Sequence, residues 1–282
     1  MPELPEVETI ARGVDARVAG DQIQEAWFGS HREPFKTPAT QQAHGLDGRI
    51  IVSVHRTGKH IVCELGARGP AAATLPPDTI QAQWIVHLGM TGRLLVTTPD
   101  APLAAHTHAR LTLASGREIR FVDPRRFGRL EFRDLAAVQG FLGAGAEPLT
   151  IPAAPFAALF RGRKLAIKAA LLYQGLLTGI GNIYADESLF RAGIRPRRAA
   201  GRLTRAELER LRISLREVLQ HAISLGGSSV SDYVDANGVK GFFQLEHCVY
   251  QRTGQPCRRC NTPIRRIVVG GRSTHYCPHC QR

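Results

Sequence analysis

Apolar residues near the start of the chain recur three to four positions apart: Val7, Ile10, Val14 and Val18. That period predicts an amphipathic helix, with Gly20 placed to end it. Pro5 suits the first helical position, and Glu6 and Glu8 fall in the first turn, where acids favour the helix dipole. Pro2 and Glu3 have no part in that pattern. The period then shortens. The stretches "GRIIVSVHRTGKHIVCEL" and "QWIVHLGMTGRLLVTT" are dense in Val, Ile and Leu and broken by short turn signals, so they predict strands. "HARLTLASGREIRFV" predicts a hairpin around Ala114, Ser115 and Gly116. "GARGPAAATLPPDT", residues 66–79, reads as a loop insertion. Residues 1–135 are therefore expected to form a leading helix and a β-sandwich or barrel.

The Gly/Pro/Ala connector "FLGAGAEPLTIPAAP" then gives way to helical patterns across residues 136–246. In "LTRAELERLRISLREVLQHAIS", Thr204 and Glu207 form a capping box, and Leu203 and Leu208 form its hydrophobic staple. Leu208, Leu211, Leu215, Val218, Leu219 and Ala222 mark the face to be buried. The stretch "GGSSVSDYVDANGVKGFF" lacks strong periodicity, and a loop of that length in a compact protein is functional or disordered. The last segment, residues 247–282, carries a cysteine cluster. The fold class is α+β.

Charge changes the picture more than composition does. The 37 Lys and Arg outnumber the 24 Asp and Glu, a formal charge of +13, which suits a polyanionic partner, nucleic acid above all. No apolar run is long enough to span a bilayer, so no membrane partner is expected. The acidic start lacks a secretory signal's basic and apolar regions. A cytoplasmic protein, held near the nucleoid by DNA binding, is expected, and no feature demands more than a monomer.

Four of the six cysteines form two C-x-x-C pairs, Cys257 with Cys260 and Cys277 with Cys280, sixteen residues apart. This is four-thiolate zinc spacing. With every ligand position filled, one Zn2+ there is structural and folds a segment too short for its own core. Between the pairs, Ile264 to Val269, Gly270-Gly271 and Arg272 to Tyr276 predict a β-hairpin with Arg272 at its tip, a natural phosphate or base contact. Cys63 and Cys248 read as buried core thiols. Gly179-Ile180-Gly181-Asn182 can turn sharply and open a helix, a geometry that gathers phosphate. Asn182 could cap that helix or donate to the phosphate, and Lys164 and Lys168 lie just upstream.

Together "PELPEVET", "HLGMTGRL", "DPRRFG", "GIGNIYADESLF" and the cysteine ribbon, in this order and over essentially the whole chain, resemble the formamidopyrimidine-DNA glycosylases. These are bacterial enzymes that remove oxidised purines such as 8-oxoguanine and formamidopyrimidines from duplex DNA and cleave the abasic site. The resemblance implies a helix–two-turn–helix fold for the central domain. It also accounts for Pro2. With Met1 removed, the proline nitrogen is the nucleophile. The choice is chemically sound, because an α-amino group is about a tenth neutral at pH 7, against about one in a few thousand for an ordinary lysine. The amine attacks the sugar C1′, the base leaves, and the resulting iminium supports β- and then δ-elimination.

By the same resemblance Glu3 moves a proton at the sugar ring oxygen, Lys59 serves β-elimination, and Arg272 serves δ-elimination. A guanidinium stays protonated, so Arg272 is better suited to clamping the phosphate than to acting as an acid. Met90, Arg125 and Phe127 match residues that fill the gap left by the extruded base. His106, Arg125 and Arg163 match DNA contacts, and residues 228–243 match a lid over the lesion whose Gly and Ser content would let it order only around a flipped base. Ser273, where Gly is common, and the 67–80 insertion depart from the family pattern. Two other readings remain open at this stage. One is the endonuclease VIII-type sister enzyme for oxidised pyrimidines, which usually has Gly where this chain has Leu4. The other is a zinc-ribbon DNA-binding protein without catalysis.

Overall fold

The computed structural model describes residues 2–30, 34–68, 79–229 and 233–282. The chain divides into two compact units, one made of residues 1–142 with 228–241, the other of 143–227 with 242–282. No helix among the described residues is long and apolar enough to cross a membrane.

The first unit begins with α1 (Leu4–Val18), which buries Leu4, Val7, Ile10, Ala11, Val14 and Val18, the stripe its 3.6-residue period predicts. Leu4 rather than Pro5 is the first helical residue, because Glu3 takes the capping position. Among the described residues eight strands follow: β1 (Ile23–Phe28), β2 (Arg49–Thr57), β3 (His60–Arg68), β4 (Ala82–His87), β5 (Arg93–Thr97), β6 (Thr107–Leu113), β7 (Glu118–Val122) and β8 (Arg129–Asp134), with α2 (Ala39–Leu46) between β1 and β2. They form two four-stranded sheets, ordered β1-β6-β7-β5 and β2-β3-β4-β8. All strand pairs are antiparallel. Two separate sheets make this a sandwich, which resolves the sandwich-or-barrel alternative. Ile23, Ile51, Ile61, Trp84, Leu111 and Phe121 belong to one core with the inner face of α1. The segment expected to be all loop after residue 66 begins inside β3, and residues 69–78 lie outside the described residues.

The return loop departs from the expected division at residue 135/136. Residues 228–241 belong to the first unit because they bond and bury there. Ser228 N–H donates to Glu6 Oε1 at 2.7 Å, Val96 N–H to Ala236 O at 3.1 Å, and Arg17 Nη1 to Asn237 Oδ1 at 2.6 Å. Tyr233 and Ala236 join the sandwich core. Both described flanks of the expected lid are thus anchored, and residues 230–232 lie outside the described residues.

The second unit holds α3 (Ala153–Phe160), α4 (Ile167–Leu172), α5 (Asn182–Ala192), α6 (Arg205–Ser224) and the hairpin β9 (Arg265–Val269) with β10 (Arg272–Tyr276). The capping box of α6 is present: Thr204 N–H donates to Glu207 Oε2 at 2.8 Å, and Glu207 N–H to Thr204 Oγ1 at 3.2 Å. The turn at Gly270 and Gly271 has φ of +56° and +73°, which side chains with a Cβ resist. The cysteine ribbon shares a core with α5, where Phe190 packs with Val249, Cys257, Ile264 and Cys277. The ribbon, expected over residues 247–282, is thus packed into this unit.

Candidate functional site

In the first unit, Pro2 is buried directly ahead of α1. Glu3, also buried, is the helix N-cap, and its backbone N–H donates to Glu6 Oε2 at 2.8 Å. The other oxygen of Glu6 holds Ser228. One buried carboxylate therefore ties the chain start to the return loop. Lys59 sits in the two-residue β2–β3 turn, where Gly58 takes φ +61° at the first central position, as a II′-type hairpin requires. Arg56 braces that turn, with Nε on Glu8 Oε2 of α1 at 2.8 Å and Nη1 on Gly58 O at 3.2 Å. Burial alone would lift the Glu8 carboxyl, but the guanidinium groups of Arg56 and Arg12 outweigh it and hold it below the usual range.

Met90, Arg125, Phe127 and His106 come together on adjoining loops around Asp123, which is fully buried. Asp123 Oδ1 accepts from Thr91 Oγ1 at 2.6 Å and from Arg125 N–H at 3.3 Å, and Oδ2 accepts from Gly128 N–H at 2.8 Å. Its own N–H donates to His106 O at 3.0 Å. A Cβ at Gly89 would stand 2.5 Å from the Phe127 carbonyl carbon, so only glycine lets the Met90 turn lie against this loop. Met90 is 43% exposed and Phe127 49%, although apolar residues in such strand-rich text belong by default in a core. The Arg125 guanidinium stacks over the Phe127 ring, 4.7 Å from its centroid. His106 and Arg126 both adopt positive φ, 66° and 56°, a backbone form uncommon outside functional turns.

In the second unit the turn before α5 is braced by Gln174, which accepts from Gly179 N–H at 2.9 Å and donates to Ile180 O at 2.8 Å. Gly181 is the N-cap of α5, so Asn182 does not cap the helix, and its Oδ1 has no hydrogen-bond partner among the described residues. Arg163 is exposed, with Nε on Leu159 O at 2.5 Å, and Arg272 is exposed at the hairpin tip. Lys168 corrects the expectation of a DNA contact. It is 0% exposed and forms an ion pair with Asp186 at 2.7 Å, so its ammonium cannot reach a phosphate.

Sequence reasoning missed Glu6, Asp123, Asp186 and Glu187. Glu6 was legible only as a first-turn acid, and Asp123 stood in a motif valued for its arginines. Asp186 and Glu187 lie on α5, which is buried nearly all round, so no polar face announces them. Glu187 accepts three backbone N–H groups, from Cys248, Val249 and Tyr250, at 2.8–3.0 Å. Burial pushes its carboxyl up against the opposing pull of those donors. Cys248 is only half-buried, unlike Cys63, whose thiol is pushed up to about 12 by desolvation.

The sulfur atoms of Cys257, Cys260, Cys277 and Cys280 all lie within 4.8 Å of one another. The Cys257–Cys280 and Cys260–Cys277 separations are 3.9 and 3.5 Å, close to the ~3.8 Å edge of a tetrahedron with zinc–sulfur bonds of about 2.3 Å. Four soft donors in a closed shell fit one structural zinc, and no fifth position is offered to a substrate.

Comparison with known proteins covers nearly the whole chain. Residues 1–130 match the formamidopyrimidine-DNA glycosylase N-terminal domain, residues 144–234 the formamidopyrimidine-DNA glycosylase H2TH domain, and residues 254–282 the zinc finger found in FPG and IleRS. A formamidopyrimidine-DNA glycosylase of Solibacter usitatus is 44% identical over 282 residues, covering 100% of both chains. A structure of MutM with DNA containing carbocyclic 8-oxo-G is 35% identical with a TM-score of 0.86, again over 100% of both chains. Lactococcus lactis FPG, 34% identical over 100% of both chains, has been solved with Fapy-dG DNA (a G226P mutant, TM-score 0.85) and, as wild type, with oxidised-pyrimidine DNA (TM-score 0.84).

Proposed function

The chain belongs to the formamidopyrimidine-DNA glycosylase family, and we propose that it removes 8-oxoguanine and formamidopyrimidines from duplex DNA and then cleaves the abasic strand through a Schiff base on Pro2. The observation that carries this reading is the position of Pro2 immediately ahead of a buried Glu3 that caps α1. With Met1 removed, the proline nitrogen is a secondary amine. Its lone pair attacks C1′, the C1′–base bond breaks, and the base leaves with a proton. Glu3 delivers a proton to the ring oxygen as the C1′–O4′ bond opens. The iminium formed draws electrons from C2′, so loss of a C2′ proton expels the 3′ phosphate. A second elimination expels the 5′ phosphate, and hydrolysis returns free Pro2.

Lys59, half-buried in its braced turn, is assigned to the first elimination. Arg272 is assigned to clamping the phosphate in the second. The exposed Met90, Arg125 and Phe127 fill the space vacated by the flipped base, and His106, Arg163 and Asn182 contact the backbone of the duplex. Lys168 has no place in that interface.

The test is borohydride trapping on a duplex carrying 8-oxoguanine, with intact mass measured first. Protein lacking Met1 should yield one covalent protein–DNA adduct per reacted strand, and Pro2→Gly should reduce it severely. Absence of any adduct leaves a DNA-binding protein without catalysis. A second reading, preference for oxidised pyrimidines, is favoured by one observation, the Lactococcus lactis relative bound to such DNA. Side-by-side excision of 8-oxoguanine and thymine glycol decides between them.

A further inference from the structure

We propose that Lys168, Asp186 and Thr274 form a buried positioning network for Arg272, so that the second strand-cleavage step depends on an ammonium that never touches DNA. The proposal rests on the role given to Arg272 above. Lys168 and Asp186 are both wholly buried, with Nζ 2.7 Å from Oδ1. The same Nζ donates to Ser273 O at 2.7 Å and to Thr274 Oγ1 at 2.9 Å. The Thr274 hydroxyl in turn donates to Arg272 O at 3.1 Å. Asp186 Oδ2 accepts His275 N–H at 2.9 Å. Four consecutive residues, Arg272 to His275, are thus held through their backbone or side chains by one ion pair.

The hairpin needs such a hold. Its cysteine end is fixed by zinc, but its tip turns on two glycines at positive φ. Glycines give the chain the most freedom, so a tip built on them has no stiffness of its own. The tip also rests on α4, where a Cβ at Gly270 would come within 3.1 Å of the Ala169 Cβ, next to Lys168 in sequence. A buried charge is tolerated only when paired and fully hydrogen-bonded, and this one is paired with Asp186 and donates to Ser273 O and Thr274 Oγ1, the residues that follow Arg272. A phosphate clamp must hold its guanidinium within a fraction of an ångström to act selectively in a transition state.

Lys168→Met and Thr274→Val, alone and each combined with Arg272→Ala, separate positioning from mere folding. Zinc content, borohydride trapping and the ratio of δ- to β-elimination products on a preformed abasic duplex are measured for each. We expect one zinc per chain in every variant, and trapping within threefold of wild type in Lys168→Met and in Thr274→Val alone. The δ/β ratio should fall tenfold or more in Lys168→Met and threefold or more in Thr274→Val, and the two combinations with Arg272→Ala should share one ratio, no higher than that of Lys168→Met, because neither retains the group being positioned. If Lys168→Met loses zinc, Thr274→Val decides the matter, because it keeps the ion pair and the side-chain volume. A wild-type δ/β ratio in zinc-loaded Thr274→Val, or equal slowing of trapping and both eliminations in zinc-loaded Lys168→Met, overturns the proposal. Failure of the underlying reading shows up separately, as a wild-type protein that forms no adduct or no δ product.

Discussion

Replacing Asp123 with asparagine tests whether the loop carrying Arg125 and Phe127 is preorganised by the carboxylate beneath it. The amide keeps the shape of the side chain. Its oxygen can still accept from Gly128 N–H, and its NH2 can face Thr91, whose hydroxyl turns to accept. What is lost is the 3.3 Å bond from Arg125 N–H and the negative charge that strengthened the others. Hydrogen bonds to a charged group contribute about 1.5–3 kcal/mol and neutral ones about 0.5–1.5, so the substitution should cost about 1–2 kcal/mol. Such a cost at the loop weakens its insertion by about 5- to 30-fold. Single-turnover excision from an 8-oxoguanine duplex must extrude a stacked base, whereas a preformed abasic site has none to extrude. Asp123→Asn should therefore slow excision about tenfold and abasic-strand cleavage less than threefold. Equal slowing on both substrates, or unchanged excision in a protein whose urea midpoint has dropped, would refute the assignment of this loop to base displacement.

Other outcomes can be measured directly. Burial depresses His60, His87 and His247 to about 4, reinforced by Lys36, by His60 and Lys59, and by Arg258 respectively. The unfolded chain then binds more protons than the folded one between about pH 4 and 6.5, so stability rises with pH across that window and is complete above it. The urea midpoint should be lower at pH 5 than at pH 7, and an equal or higher value at pH 5 contradicts this. Thr204→Ala removes the α6 cap and should lower unfolding free energy by about 1 kcal/mol in urea titrations, with no loss expected if the box is idle. Chelating zinc should abolish duplex binding but leave tryptophan fluorescence unchanged, because Trp27 and Trp84, the chain's two tryptophans, both lie in the first unit. Cys63 should resist disulfide reagents in the native protein, and rapid labelling there would contradict its burial.

Much of the local structure is legible in the sequence, and the reason is range. The stripe of α1, the capping box of α6, the β6–β7 hairpin and the ribbon hairpin each depend on residues within a few positions of one another. The sheet order β1-β6-β7-β5 does not, because strand alternation says which face is buried and not which neighbour is paired. The return loop escapes for the same reason: the bond from Ser228 to Glu6 spans 222 positions. Lys168 misleads more subtly. A lysine near a glycine turn in a basic chain reads as a phosphate ligand, and only its fold-determined partner, Asp186, reveals that its charge is consumed internally. Met90 and Phe127 are the opposite case: apolar character alone would place them in a core that the fold leaves them outside, and only the family resemblance marks them for the DNA surface.

The missed residues share one physical property. An ionised carboxylate only accepts hydrogen bonds, so inside a protein its natural partners are backbone N–H groups and cations. Glu6 takes N–H groups from Glu3 and Ser228, Asp123 from Arg125 and Gly128, Asp186 from His275, and Glu187 from Cys248, Val249 and Tyr250. Each therefore grips main chain next to a group assigned to DNA or to zinc, while the cations that would meet phosphate remain exposed. A +13 chain gains from this arrangement. Acids displayed on the binding face would repel the phosphates they are meant to help hold, whereas acids buried behind it fix the geometry at little cost to the surface field. It follows that neutralising these buried acids should perturb rate-determining geometry more than it perturbs the salt dependence of DNA binding, while removing exposed arginines should do the reverse. Arg163→Ala should therefore flatten the salt slope of duplex affinity by about one unit, and Asp186→Asn should leave that slope unchanged.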